Sequence, residues 1–222
     1  MNFVGHAHIA LTLRSDPAFV LGSMLPDFAS MGRTRLEGVD DPDVAEGVAL
    51  HHRTDDAFHG CPAFVRLCTE TSTSLEQQGV PWGAARAVGH VGTELLLDGF
   101  LLDAPGTHHA ASEAVRALER PAITASIRVH SAGAERWAEL LARVRGRGLP
   151  DFYRDPDAVA DRLIAILAPR PRLAVGEEHR GTLRAAMRAL RPLVERDTNS
   201  MVEAAQSGCR RAPIIAPCAP TR

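Results

Sequence analysis

DPDVAEGVALHHRTDDAFHG, residues 41–60, decides the fold class and carries the first chemistry. Asp41-Pro42 is a helix-opening pair. The aspartate can accept from N–H groups of the first turn, and proline at the first helical position gives up only an N–H that has no partner there. On a helix starting at Pro42, the side chains of Val44, Val48, His51, Asp55 and Phe58 or His59 fall on one narrow face. That stripe begins with two valines and should face a core. An ionised carboxylate on it is costly unless it is paired or bound to a metal. The segment therefore predicts a helix and asks for a cationic partner at Asp55.

The same punctuation recurs outward from this stretch. Asp16-Pro17 and Asp155-Pro156 repeat the opening pair, and Pro81 starts another segment. Apolar residues recur at three and four rather than alternating by two. Helices are predicted over 3–13, 17–24, 42–59, 62–78, 82–102, 108–119, 134–146, 156–168 and 178–206. No pair of alternating β-branched runs joined by a hairpin turn occurs, so no sheet is expected. The fold class is all-α: a single-domain helical bundle over residues 1–206 with a metal site between core helices. Residues 146–155 read as a Gly/Pro connection, and 207–222 as a Pro-rich, flexible tail. Pro192 should kink or restart the last helix.

A second stretch, PWGAARAVGHVGTELLLDGFLL at 81–102, repeats the logic. Val88, Val91, Leu95 and Leu102 mark an apolar arc, and His90, Glu94 and Asp98 form an i, i+4, i+8 ladder beside and partly within it. Two helices thus each carry a His followed by acids toward a common interior, as metal-binding bundle cores do. Mixed N/O ligation suits Mn²⁺, Fe²⁺ or Zn²⁺ better than Ca²⁺. Upstream, His6 and His8 interrupt an apolar N-terminal segment. Asp27 follows a Gly22-Ser23 break, where Pro26 disfavours continuous helix and suggests a turn. His6, Asp27, His51, Asp55, His59, His90 and Glu94 are the candidate metal ligands.

Other signals are weaker. His52 and Asp56 lie off the stripe and read as solvent-facing or supporting. Arg53 could bind phosphate or be an ordinary surface arginine. His108-His109 follow a Pro-Gly turn and read as capping or loop residues. On the last helix, Arg180, Arg184, Arg188 and Arg191 lie mostly off the apolar stripe of Leu183, Met187, Leu190 and Val194. They form either a solvated face or a docking surface for an acidic partner. No GxSxG, P-loop, GxGxxG or HExxH motif occurs.

The bulk numbers bound the reading. A chain of 222 residues with 45% hydrophobic and 23% charged residues can bury a full core. A net charge of -2 gives no global bias toward nucleic acid, and every basic residue is Arg. No apolar run approaches the roughly 20 residues of a membrane span. The four cysteines show no zinc-finger spacing. A cytoplasmic protein with reduced thiols is expected.

MNFVGHAHIALTL resembles the MNFLAH-x-x-LA start of acyl-carrier-protein phosphodiesterases. GSMLPDF is similar to their GN-x-L-x-DF segment, GVALHHRTDDAFH to their H-R-x-I-D-x-x-T-D segment, and VGHVGTELLLDGFL falls where they have a DHFL-type helix. The likeness covers most of residues 1–206. It implies an α-helical, HD-like hydrolase, usually manganese-dependent, that removes 4′-phosphopantetheine from holo-acyl carrier protein. The family's functional His and Asp fall on His6, Asp27, His51, Asp55 and His90. Two positions depart: Gly89 stands where the family has Asp, and His59 where it has a second Asp. Glu94 and Asp98 are the carboxylates available to replace them. In the expected mechanism Asp27, His51, Asp55 and His90 ligate metal, Glu94 or Asp98 completes the shell or orients water, and Arg53 steadies phosphate. Two alternatives stay open: hydrolysis of another small phosphoester or nucleotide, and a non-catalytic, metal-stabilised binding module.

Overall fold

The computed structural model describes residues 1–210. Its helices are α1 (Phe3–Leu13), α2 (Pro17–Met31), α3 (Pro42–His59), α4 (Pro62–Gln77), α5 (Trp82–Leu101), α6 (Thr107–Ala117), α7 (Pro121–Ser126), α8 (Ala134–Arg147), α9 (Pro156–Leu167) and α10 (Arg180–Cys209). The all-α, single-domain bundle is what the apolar periodicity predicts. The Asp-Pro openings work as expected. Asp16 accepts from the N–H groups of Ala18 and Phe19, Asp41 from those of Asp43 and Val44, and Asp155 from that of Asp157.

One core joins the helices. Phe28, Phe58, Ile9, Leu21, Leu50 and Leu67 are among the side chains fully withdrawn from water. α2 packs on α3, α10 covers α3 on another side, and α4 packs on α5. α1 threads the middle, touching α2, α3, α5 and α6. Among the described residues, no helix is long and apolar enough to cross a membrane. Cys61, Cys68 and Cys209 are free thiols.

Four expectations need correction. Helix α2 runs on to Met31 rather than ending at 24, so Asp27 lies on a helix and not on a turn. Pro26 withholds one N–H from the helix ladder, yet α2 is buried nearly all round, and that burial outweighs the lost bond. Second, a small sheet exists: β1 (Leu36–Val39) pairs antiparallel with β2 (Ile127–Val129). The strands are three and four residues long and far apart in sequence, which leaves no hairpin signal to read. Third, α10 does not restart at Pro192 but runs through it as one helix. Fourth, α10 extends to Cys209, so the tail cannot begin at 207; residues 211–222 lie outside the described residues. The short helix α7 was not predicted.

Candidate metal centre

Helix α3 carries the site, and its approach to α2 is set by two glycines. A Cβ on Gly22 would stand 2.1 Å from the Val44 carbonyl oxygen, and one on Gly47 would stand 2.1 Å from that of Phe19. Gly22-Ser23, which reads in sequence as a break, is thus part of a close helix crossing. It brings the Ser23 carbonyl oxygen within 2.9 Å of His51 Nδ1. Nδ1 must carry the proton to donate there, which leaves the Nε2 lone pair free.

His6 on α1 is arranged in the same way. Its Nδ1 is 3.2 Å from Thr54 Oγ1, and the Thr54 hydroxyl itself donates to the Leu50 and His51 carbonyls. The hydroxyl oxygen therefore accepts from His6 Nδ1–H. His6 Nε2 is buried without a hydrogen-bond partner, and so is Asp27 Oδ2. The His6 and His51 rings stack with centroids 3.8 Å apart. His6, Asp27 and His51 converge closely enough to hold a metal ion, and Asp55 Oδ1 lies 3.4 Å from His6 Nε2.

A second group follows toward the surface. His59 Nε2 is 3.1 Å from Glu94 Oε1 and 3.2 Å from His90 Nε2, and these three also converge as metal ligands would. Asp55 connects the groups, because its Oδ2 stands 3.2 Å from His59 Nδ1. Between them lies the α-amino group of Met1, 2.9 Å from Asp55 Oδ1 and 3.0 Å from Glu94 Oε1. Six of the seven candidate ligands named from sequence thus lie in two adjoining groups, and Asp55 stands between them.

The electrostatics divide the clusters. Burial pushes His6 down to about 4, and burial next to His6 pushes His51 down to about 2, so both are neutral imidazoles at neutral pH. Burial also raises the Asp27 carboxyl well above its ordinary range. The second cluster holds charge instead. Burial opposes ionisation of His59, but its contacts with Asp55 and Glu94 win and push it up to about 9. Burial would raise Asp55, yet His59, His6 and the Met1 ammonium hold it well below the usual carboxylate range. Glu94 is lowered against its own burial by the Met1 ammonium, His59 and His90. The Met1 ammonium is raised in turn, because Glu94 and Asp55 outweigh its burial.

Two residues named for the chemistry sit elsewhere. Asp98 accepts from the Val4 and Gly5 backbone N–H groups and from Asn2 Nδ2, at 3.1, 2.8 and 2.9 Å. It caps the N-terminus of α1 from across the core, and burial pushes it up to about 7 against those donors. Arg53 lies near Cys209, where its charge acts on the thiol. His52 and Asp56 are exposed, as expected. His8 meets Thr107 Oγ1 at 2.8 Å. His108 and His109 are exposed in the first turn of α6.

The departure at Gly89 has a packing cause. A Cβ there would stand 2.7 Å from the Cys68 carbonyl oxygen of α4, so no aspartate fits on this backbone. Sequence reasoning missed Ser23, Thr54 and the Met1 amine, which work through a carbonyl, a hydroxyl and a terminus that carry no ligand signature. It also missed Arg33 and Arg162. With Arg170 they wall a cleft of 270 Å³ whose inner side includes Asp27 and Glu94. Comparison of the chain with protein-family models, curated proteins and solved structures finds no match.

Proposed function

We propose that the protein is a metal-dependent phosphodiester hydrolase of the kind that removes 4′-phosphopantetheine from holo-acyl carrier protein. The observation that carries this reading is the pair of buried, unpartnered ligand atoms, His6 Nε2 and Asp27 Oδ2, beside the free Nε2 of His51. Buried polar atoms are left without partners at a cost. Two imidazoles held in the ligating tautomer by Ser23 and Thr54 match how protein ligands are prepared for a transition metal.

His6, Asp27, His51 and Asp55 would hold one divalent ion, with Mn²⁺ favoured and Fe²⁺ or Zn²⁺ compatible with the donor set. A bound ion would supply Lewis acidity toward the phosphoryl oxygens and lower the pKa of a coordinated water. The protein's own groups do the rest. His59, charged at neutral pH, can give a proton from Nε2 to the leaving alkoxide. Asp55 and Glu94 fix its position and its charge. Arg33, Arg162 and Arg170 bring positive charge to the cleft for the phosphate, the role first considered for Arg53.

The acidic carrier would meet the cleft rather than α10. Arg180 and Arg184 already engage Asp161, Arg188 engages Asp157, and Arg191 stacks on Phe100. Elemental analysis should find one divalent ion per chain in the wild type and none in His51→Ala or Asp55→Ala. Incubation with holo-carrier protein and Mn²⁺ should release the phosphopantetheine mass. Retention of that mass at every metal loading would sink the carrier-protein reading. Turnover of simple phosphodiesters without carrier cleavage would point instead to a small-phosphoester hydrolase.

A further inference from the structure

Two cavities meet beside the metal centre. The cleft with Asp27, Glu94 and the three arginines shares walls of Met31, Tyr153 and Arg162 with a second cavity of 350 Å³ beside it. That recess is lined by apolar side chains, among them Phe3, Leu140, Val144, Leu149 and Phe152. Both volumes are near the lower end of the range for small-molecule sites. At the recess, Met31 and Phe152 are 39% and 43% exposed, an unusual state for large apolar side chains in this fold.

The charge is distributed to match. Arg143 and Arg147 also line the recess. Among the described residues, Arg33, Arg143, Arg147, Arg162 and Arg170 form no ion pair, whereas the α10 arginines 180, 184 and 188 are all paired with acids. Arg162 belongs to both cavities, and its Nε is buried without a partner. A charged fork thus stands where a cleft of mixed charge adjoins an apolar one.

We propose that the adjoining cavities bind a phosphoester carrying an aliphatic chain, with the phosphate at Arg33, Arg162 and Arg170 and the chain in the recess beyond Tyr153. Placing the phosphate at the arginines rests on the hydrolase reading; the apolar recess stands independently of it. The occupant is a chain rather than a protein surface, because the recess holds only 350 Å³ and the arginines select a compact anion at one end.

The test is calorimetry on the full Mn²⁺-loaded protein with ethylphosphonate and octylphosphonate, whose C–P bond resists hydrolysis. Each methylene leaving water is worth about fourfold in affinity, so octylphosphonate should bind on the order of 100-fold tighter even with half its chain exposed. Val144→Trp and Leu149→Glu, one filling the recess and one charging it, should each remove that preference while leaving ethylphosphonate binding unchanged. Arg162→Gln should weaken both ligands alike. Equal affinity for the two ligands, no binding of either, or a preference that survives both recess variants overturns the proposal. Hydrolysis takes no part in this readout. Lost chain preference with intact metal-dependent turnover rejects the recess alone, and chain preference without any turnover rejects the hydrolase reading alone.

Discussion

At Asp55, one carboxylate oxygen faces the Met1 ammonium and His6 Nε2 while the other faces His59 Nδ1. Replacing it with Asn keeps the shape and removes the charge that holds both clusters together. Asp55→Asn should therefore weaken metal binding by at least about 100-fold, measured by competition with a chelating dye. In the same variant, the His59 imidazole resonances should titrate well below the wild-type value of about 9. An unchanged His59 titration would refute the electrostatic account. The sign of the stability effect follows from the same shift. His59 has its folded pKa raised above the ordinary 6.5. Its contribution to metal-free stability is full below 6.5 and is lost as pH rises through about 9. The Tm difference between wild type and His59→Gln should accordingly shrink across that window in thermal melts of the metal-free proteins.

At the scale of elements, the α2–α3 crossing decides whether His51 can ligate at all. A methyl on Gly22 would run into the Val44 carbonyl and push the helices apart. Gly22→Ala should cost about 1–3 kcal/mol as overpacking does, read from denaturant unfolding. It should also lower metal affinity, because the Ser23 carbonyl that orients His51 moves with α2. If stability falls and metal affinity does not, the crossing is structural only. The α4–α5 contact makes a parallel case. Gly89→Asp would restore the residue the resembled family carries, yet it should destabilise the fold rather than improve activity, since the side chain meets the α4 backbone. A gain in kcat from this substitution would show that the backbone yields where the structure says it is closed.

Across the whole molecule, the arginines of α10 and those of the two cavities stand in contrast. Arg180, Arg184 and Arg188 on α10 are bound to Asp157, Asp161 and Glu177 on the outer surface, where exposed pairs contribute little. Among the described residues, Arg33, Arg143, Arg147, Arg162 and Arg170 around the two cavities are without acidic partners. On the proposed reading, an acidic carrier protein should dock at the cavity end. Arg143→Gln with Arg147→Gln should raise KM for the carrier several-fold, about 3–10 times, with a weaker salt dependence and little change in kcat. Arg184→Gln with Arg188→Gln should leave KM unchanged. The reverse pattern in steady-state kinetics would move the docking face back to α10.

Much of this protein is written in local pattern. The Asp-Pro pairs cap α2, α3 and α9 through contacts two and three residues away, and helical periodicity follows from the residues themselves, so both could be read directly. The candidate ligands could be read for the same reason, because His51, Asp55 and His59 share one helix and His90 and Glu94 another. Asp98 lies on that second ladder too, but its role was hidden: the N–H groups it caps belong to residues more than 90 positions away. Arg53 shares α3 with the ligands, yet its backbone packs against Gly208 of α10, a neighbour that only tertiary packing supplies. The continuity of α2 through Pro26 was decided by burial, which outweighs the local preference of proline. The division of the site into a neutral inner cluster and a charged outer one was likewise beyond the sequence. It depends on which imidazoles lose water and which stand beside carboxylates, and those distances exist only once the helices have packed.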